Sequence, residues 1–153
     1  MAFMELTATR VYDATPDAMW SIVSDLDGYA DHVGGLAITE VIDGHALGAV
    51  RRCETTRGDD WSEIVSEWDE GRRYVIDVET STYPTVLRSI FTAFRGVWTV
   101  APEGSGSRVT ITFRGQVRGG PVAAAAVQRM AKRNLRDIED TLASYGAAVH
   151  DRT

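Results

Sequence analysis

"GGPVAAAAVQRMAKRNLRDIEDTLASYG", residues 119–146, reads as one long helix at the end of a chain that otherwise reads mostly as strands. Two glycines precede it, Pro121 suits its first turn, strong helix formers fill it, and Gly146 is its stop. Val127, Met130, Ala131, Leu135, Ile138 and Leu142 recur at helical spacing as one apolar stripe, while Lys132, Arg133, Arg136 and Glu139 lie largely off it. Roughly 25 residues at about 1.5 Å each give a helix of about 37 Å, long enough to lie across a whole sheet.

Working back from that helix, Leu36 to Val117 is a run of strand-like pieces divided by turn signals. "LAITEVI" ends at "DGHALG", "AVRRCETT" at "RGDD", and "DDWSEIVSEWDEG" at a glycine turn. "YVIDVET" runs into the loop "STYPTV", "RSIFTAFRGVWTVA" ends at "PEGSGS", and "RVTITFRGQV" ends at "RGG". Short strands joined by tight turns predict an antiparallel meander. Ahead of it, Met4, Leu6 and Ala8 alternate with Glu5, Thr7 and Thr9 as in a half-buried strand. Thr15 then caps a short helix with Pro16 in its first turn and Met19, Trp20, Val23 and Leu26 on one face. The "DGYADHVGG" that follows is a loop. The fold class is α+β in two layers, with the sheet curled around the terminal helix to bury its stripe.

Composition narrows the function. A chain of 153 residues with 44% hydrophobic and 25% charged residues has room for one domain, residues 1–153. Its net charge of −6 argues against nucleic acid and against an anionic membrane surface. Cys53 is the only cysteine, which excludes an internal disulfide and fits a reducing cytoplasm. No export signal or spanning segment is visible, since the longest apolar run, "VAAAAV", is too short for a bilayer. His32, His45 and His150 form no metal-binding motif, and no nucleophile elbow or phosphate-binding loop occurs, so no metal or cofactor is expected.

Several stretches together resemble the START-like, or polyketide cyclase/dehydratase, superfamily. They are "DATPDAMWSIVSDLDGY" after the first strand, "LGAVRRC", "WSEIVSEWDEGRRYVIDV", "GVWTVAPEGSGSRVTITF" and "KRNLRDIEDTL" in the terminal helix. The resemblance covers nearly the whole chain. It implies the helix-grip fold, a curved seven-stranded antiparallel sheet gripping the C-terminal helix around a cavity for a hydrophobic small molecule. Such proteins are carriers, sensors or cyclase and aromatase enzymes, and the fold does not choose among those roles.

Asn134 falls on the apolar stripe, so it is expected to face the sheet, either in a structural hydrogen bond or as a polar contact of the cavity floor. The faces of "DDWSEIVSEWDEG" are both mixed: Trp61, Glu63, Val65 and Glu67 on one, Ser62, Ile64, Ser66 and Trp68 on the other. The resemblance implies that Trp61 and Glu63 point inward. It also matches Arg51 to a recurrent arginine, with Cys53 and Thr55 continuing its face. An inward Glu63 needs a cation or donor, for which Arg51 and Arg114 are candidates. The resemblance further implies cavity positions at Phe94, Ala126, Met130 and Asn134 and a gate near Tyr83, Pro84 and Val86, with residues 29–35 as the other rim.

Three readings follow. The first is a cytoplasmic carrier or sensor of a lipid, polyketide or similar metabolite, monomeric or homodimeric, with no nucleic-acid partner and no integral membrane association. The second is an aromatase/cyclase in which Arg51 or Arg114 stabilises an enolate oxygen and Glu63 acts as base or holds a water. The third is a protein-interaction module using the convex sheet face.

Overall fold

In the computed structural model, which describes residues 2–152, the first strand β1 (Phe3–Tyr12) buries Met4, Leu6 and Ala8 and exposes Glu5, Thr7 and Thr9. The alternation read from the sequence is the alternation of its two faces. Thr15 caps α1 (Pro16–Val23), its hydroxyl oxygen accepting the Ala18 N–H at 3.2 Å, and Pro16 opens the helix. Met19, Trp20, Ile22 and Val23 of α1 are buried. Asp27–His32, expected as loop, forms a 3-10 segment. Thr39 fastens it by donating to the Asp27 carbonyl at 2.8 Å and accepting the Ala30 N–H at 2.9 Å.

The meander is β2 (Leu36–Asp43), β3 (Val50–Thr55), β4 (Asp60–Asp69), β5 (Arg73–Val78), β6 (Phe91–Glu103) and β7 (Gly106–Val117). These and β1 form one seven-stranded antiparallel sheet in the order β1-β7-β6-β5-β4-β3-β2. Each consecutive pair from β2 to β7 is adjacent, and β1 closes the far side against β7. One predicted strand start is helical: Arg88, Ser89 and Ile90 belong to α2 (Thr85–Ile90). Leu87 and Ile90, three residues apart, share a helix face toward the interior, a spacing easily missed in six residues.

The terminal helix is α3 (Gly120–Ala131) followed by a 3-10 turn, Lys132–Asn134, and α4 (Leu135–Asp151). Gly119, at φ 92°, adopts the left-handed conformation that reverses the chain between β7 and α3. Each 3-10 residue turns the chain by about 120° instead of about 100°, so three of them shift the helical phase by about 60°. The single stripe read from the sequence is therefore interrupted. Asn134 is exposed, not packed on the sheet, and Met130 is 66% exposed, whereas Ile138 and Leu142 stay buried.

The core is divided along the helix. Under α4, Ile138, Leu142, Tyr145 and Val149 pack with α1 and the aromatic stack of Trp68, Tyr74 and Trp98. Two tyrosines pin this half: Tyr12 donates to the Leu142 carbonyl at 2.6 Å and Tyr74 to the Val23 carbonyl at 2.7 Å. Under α3 the inward residues include the small Ala123, Ala124 and Ala131, which fill less of the space above the sheet than the large side chains under α4. The interior is packed beneath one half of the helix and hollow beneath the other.

Candidate functional site

The hollow half is a cavity of about 670 Å³. Met4 and Leu6 of β1, Ile76 of β5, and Phe94, Trp98 and Phe113 of β6 and β7 form its wall. Val127 and Ala131 form its roof, and Val33, Leu36, Leu87, Met130, Arg133, Asn134 and Asp137 surround its opening. Gly96 keeps the wall open: a Cβ there would lie 2.5 Å from the Trp98 ring and 3.0 Å from that of Phe113.

One ion pair interrupts this apolar lining. Arg51 and Glu63 are directly opposite each other on β3 and β4, 2% and 8% exposed. Arg51 donates to Glu63 Oε1 from Nε at 3.0 Å and from Nη2 at 2.6 Å, and its Nη1 donates to the Leu26 carbonyl at 3.2 Å. Trp61 donates its indole N–H to Glu63 Oε2 at 2.9 Å, and the Arg51 guanidinium lies 4.9 Å from the centre of the Tyr29 ring. Both carboxylate oxygens are therefore engaged, which is what a buried charge requires. Burial alone would pull the Arg51 guanidinium toward its neutral form, but Glu63 beside it more than offsets that and holds it above its ordinary value.

The bulge in β4 explains why its faces looked alike. Val65 pairs with Ile76 and Glu67 with the next residue back, Val75, so Ser66 is an extra residue in the strand. Before the bulge Trp61, Glu63 and Val65 turn inward. After it the phase flips: Trp68 packs inside against Trp20 and Tyr74, while Glu67 pairs with Arg73 on the outside. Glu70, at the strand's exit, accepts the indole N–H groups of Trp20 at 2.9 Å and Trp68 at 2.7 Å.

Deeper in the cavity than the polar Arg133, Asn134 and Asp137 of its opening lie Tyr29, Tyr83 and Cys53. The hydroxyls of Tyr29 and Tyr83 bond to no described residue. Burial pushes both phenols above their ordinary range, with Glu63 adding to the effect, so they stay protonated and able to donate. Burial, followed by the charge of Glu63, likewise pushes the Cys53 thiol up, the reverse of what a nucleophilic cysteine needs.

Of the residues singled out from sequence, Arg51, Cys53, Trp61, Glu63, Tyr83, Phe94, Met130 and Asn134 all line the cavity. Tyr83 is buried beneath the opening, edge-on to Trp61 at 5.4 Å, so it is part of the wall and not an exposed gate residue. Two residues lie elsewhere. Ala126 is exposed on the outer side of α3. Arg114 pairs with Glu5 and Arg95 on the outer face of the sheet, its guanidinium 4.0 Å from the Phe3 ring, while its neighbours Phe113 and Gly115 are the inward positions. Arg51 is accordingly the cation that meets Glu63. Sequence reasoning placed Tyr29 only at a rim; its one signal was an aromatic residue within a glycine- and aspartate-rich loop.

Solved structures share this architecture. The Thermus thermophilus protein TTHA0849 is 20% identical with a TM-score of 0.74, covering 97% of this chain and 99% of its own. The Zhui aromatase/cyclase from Streptomyces sp. R1128 is 16% identical with a TM-score of 0.70, covering 94% and 93%. Norcoclaurine synthase from Thalictrum flavum is 15% identical with a TM-score of 0.73, covering 98% and 96%. At these identities the likeness is one of fold. No curated protein matches by sequence. Residues 4–143 match the family described as polyketide cyclase/dehydrase and lipid transport, and the chain belongs to that family.

Proposed function

We propose that the protein binds a hydrophobic small molecule carrying an oxygen acceptor in the cavity under α3, as a carrier or sensor. The observation that carries this reading is the combination of an apolar cavity of ligand size with a buried carboxylate whose two oxygens are both taken. Burying apolar ligand surface supplies affinity at roughly 25 cal/mol per Å² before the costs of association. The Tyr29 and Tyr83 hydroxyls, held neutral, supply directional donors for a carbonyl or phenolic oxygen. The Arg51 guanidinium has more N–H groups than the bonds to Glu63 and the Leu26 carbonyl use, which leaves donors available without releasing Glu63. Native mass spectrometry of freshly purified protein tests the reading: a retained metabolite of a few hundred daltons is expected. Protein that is empty as isolated and takes up no lipid, polyketide or aromatic probe in a displacement assay would overturn it.

A second reading is cyclisation of a poly-β-ketone chain, favoured by the aromatase/cyclase name of one structural neighbour and by Arg51 and the two tyrosines facing one apolar space. The cavity would fold the chain by shape, and the donors would stabilise the oxyanion that develops as a carbonyl is attacked. Glu63 serves there by fixing Arg51, because both of its oxygens are already engaged by Arg51 and Trp61. Incubation with polyketide thioester analogues of several lengths tests it. A cyclised product lost in Tyr29→Phe and Tyr83→Phe supports this reading; unchanged analogues count against it.

A further inference from the structure

We propose that the lips of the cavity opening, α2 and the outer face of α3, dock on an anionic lipid surface. The segments forming the lips, residues 80–90 and 118–137, carry Arg88, Arg118, Arg129, Lys132, Arg133 and Arg136 against a single carboxylate, Asp137, at their end. All six cations are exposed, and none forms an ion pair with a described residue. Cations elsewhere that form no ion pair with a described residue, such as Arg10, Arg57 and Arg72, are scattered, whereas these six are gathered around one opening. The net charge of −6 hides this concentration. At physiological salt, charges act over only about 8 Å, so a bilayer at the opening meets the lips and not the chain average.

The same surface carries apolar side chains with nothing over them. Val122 is 84% exposed, Val86 70% and Met130 66%. On α3 and the 3-10 turn that follows it, the exposed positions 122, 125, 126, 129, 130 and 133 recur at three- and four-residue spacing as one face, made of Val122, two alanines, Met130 and two arginines. Its opposite face packs on β1, where the Gln128 amide accepts the Glu5 N–H at 2.7 Å and donates to the Glu5 carbonyl at 2.8 Å. The outer face is thus rigidly presented. Apolar and cationic residues mixed on one helix face match the headgroup and acyl boundary of an anionic leaflet, where phosphates meet the arginines and separate apolar side chains enter hydrocarbon. An acidic protein would satisfy the charges but would need a shaped hollow for each isolated apolar side chain. Docking in this orientation would also set the opening against the acyl region, so that a hydrophobic molecule crosses little water. That consequence rests on the cavity reading, whereas the docking does not.

Vesicle co-sedimentation of the full chain tests the proposal, comparing mixed phosphatidylglycerol and phosphatidylcholine vesicles with phosphatidylcholine alone. Binding is expected to the anionic vesicles and to fall with added salt. Each rim cation is expected to contribute roughly fivefold, so Arg129→Glu/Lys132→Glu should weaken binding roughly 25-fold or more. Val122→Asp should weaken it as well, with circular dichroism unchanged for both variants. Arg57→Glu, an exposed cation in the β3–β4 turn, should leave it unaltered. Equal affinity for both vesicle types, equal sensitivity to Arg57→Glu, or absence of vesicle binding alongside capture of an acidic protein would each overturn the proposal. Loss of vesicle binding with ligand retention intact would leave the cavity reading standing, which separates the two failures.

Discussion

Arg51 and Glu63 are directly paired across β3 and β4, and the lining that surrounds them makes each the condition for the other's charge. Removing one partner from a buried pair leaves an uncompensated charge and costs about 3 to 5 kcal/mol. Glu63→Gln and Arg51→Met should each destabilise the fold by about that amount. The double replacement Arg51→Met/Glu63→Leu should cost clearly less than the sum of the single changes. Urea unfolding of the four proteins checks this, and additive losses would mean that the two residues do not act as a unit.

How much of this site was legible in the sequence depended on whether a regular period ran through it. β1, α1 and the order of the meander followed from alternation and capping, because no irregularity breaks them. Glu63 did not, since the extra residue Ser66 exchanges the faces of β4 halfway along and mixes two patterns into one. Asn134 was legible only in part: it lines the cavity, but at an exposed position beside the break between α3 and α4 and not packed on the sheet. The partner of Glu63 was reduced to two arginines by charge alone. Choosing between them needed the register that puts Arg51 inside and Arg114 outside.

Cys53 sits opposite Trp61 in the cavity wall, and its thiol is pushed up by burial and by the charge of Glu63. The protonated thiol is the weaker nucleophile, so the folded protein should react with a thiol reagent at about pH 8 far more slowly than it does in denaturant. A cavity ligand should slow the reaction further. Modification as fast in the native protein as in denaturant would show that the wall is open or the thiolate favoured.

His32 joins the 3-10 segment below the opening to α4, its Nδ1 within 2.7 Å of the Ser144 hydroxyl and its ring 4.8 Å from that of Tyr145. Burial lowers its pKa, a tendency that Asp31 and Asp25 oppose and Arg152 reinforces. A histidine whose folded value lies below the unfolded one contributes fully above about pH 6.5 and loses that contribution as the pH falls through the folded value. Acidification from about pH 7 to about pH 5 should therefore cost the native protein more stability than it costs His32→Gln. Urea midpoints across that range check the difference, and parallel curves would remove His32 as its source.

Gly96 decides whether the cavity can exist beside a stacked aromatic wall. Its missing side chain leaves room for the rings of Trp98 and Phe113, and Trp98 is itself held by Tyr74 at a centroid distance of 5.0 Å. A methyl group at position 96 cannot be accommodated by swinging the indole away, because the stack with Tyr74 and an edge contact with Tyr29 at 5.5 Å hold it. Gly96→Ala should consequently cost about 1 to 3 kcal/mol, the usual cost of overpacking. Whatever ring movement relieves the clash takes space from the cavity. The variant should bind a bulky aromatic probe more weakly than a slender acyl one, relative to the native protein, in a fluorescence displacement assay. Stability within about 0.5 kcal/mol of native together with unchanged affinity for both probes would show that the wall yields elsewhere and that Gly96 does not set the cavity's shape.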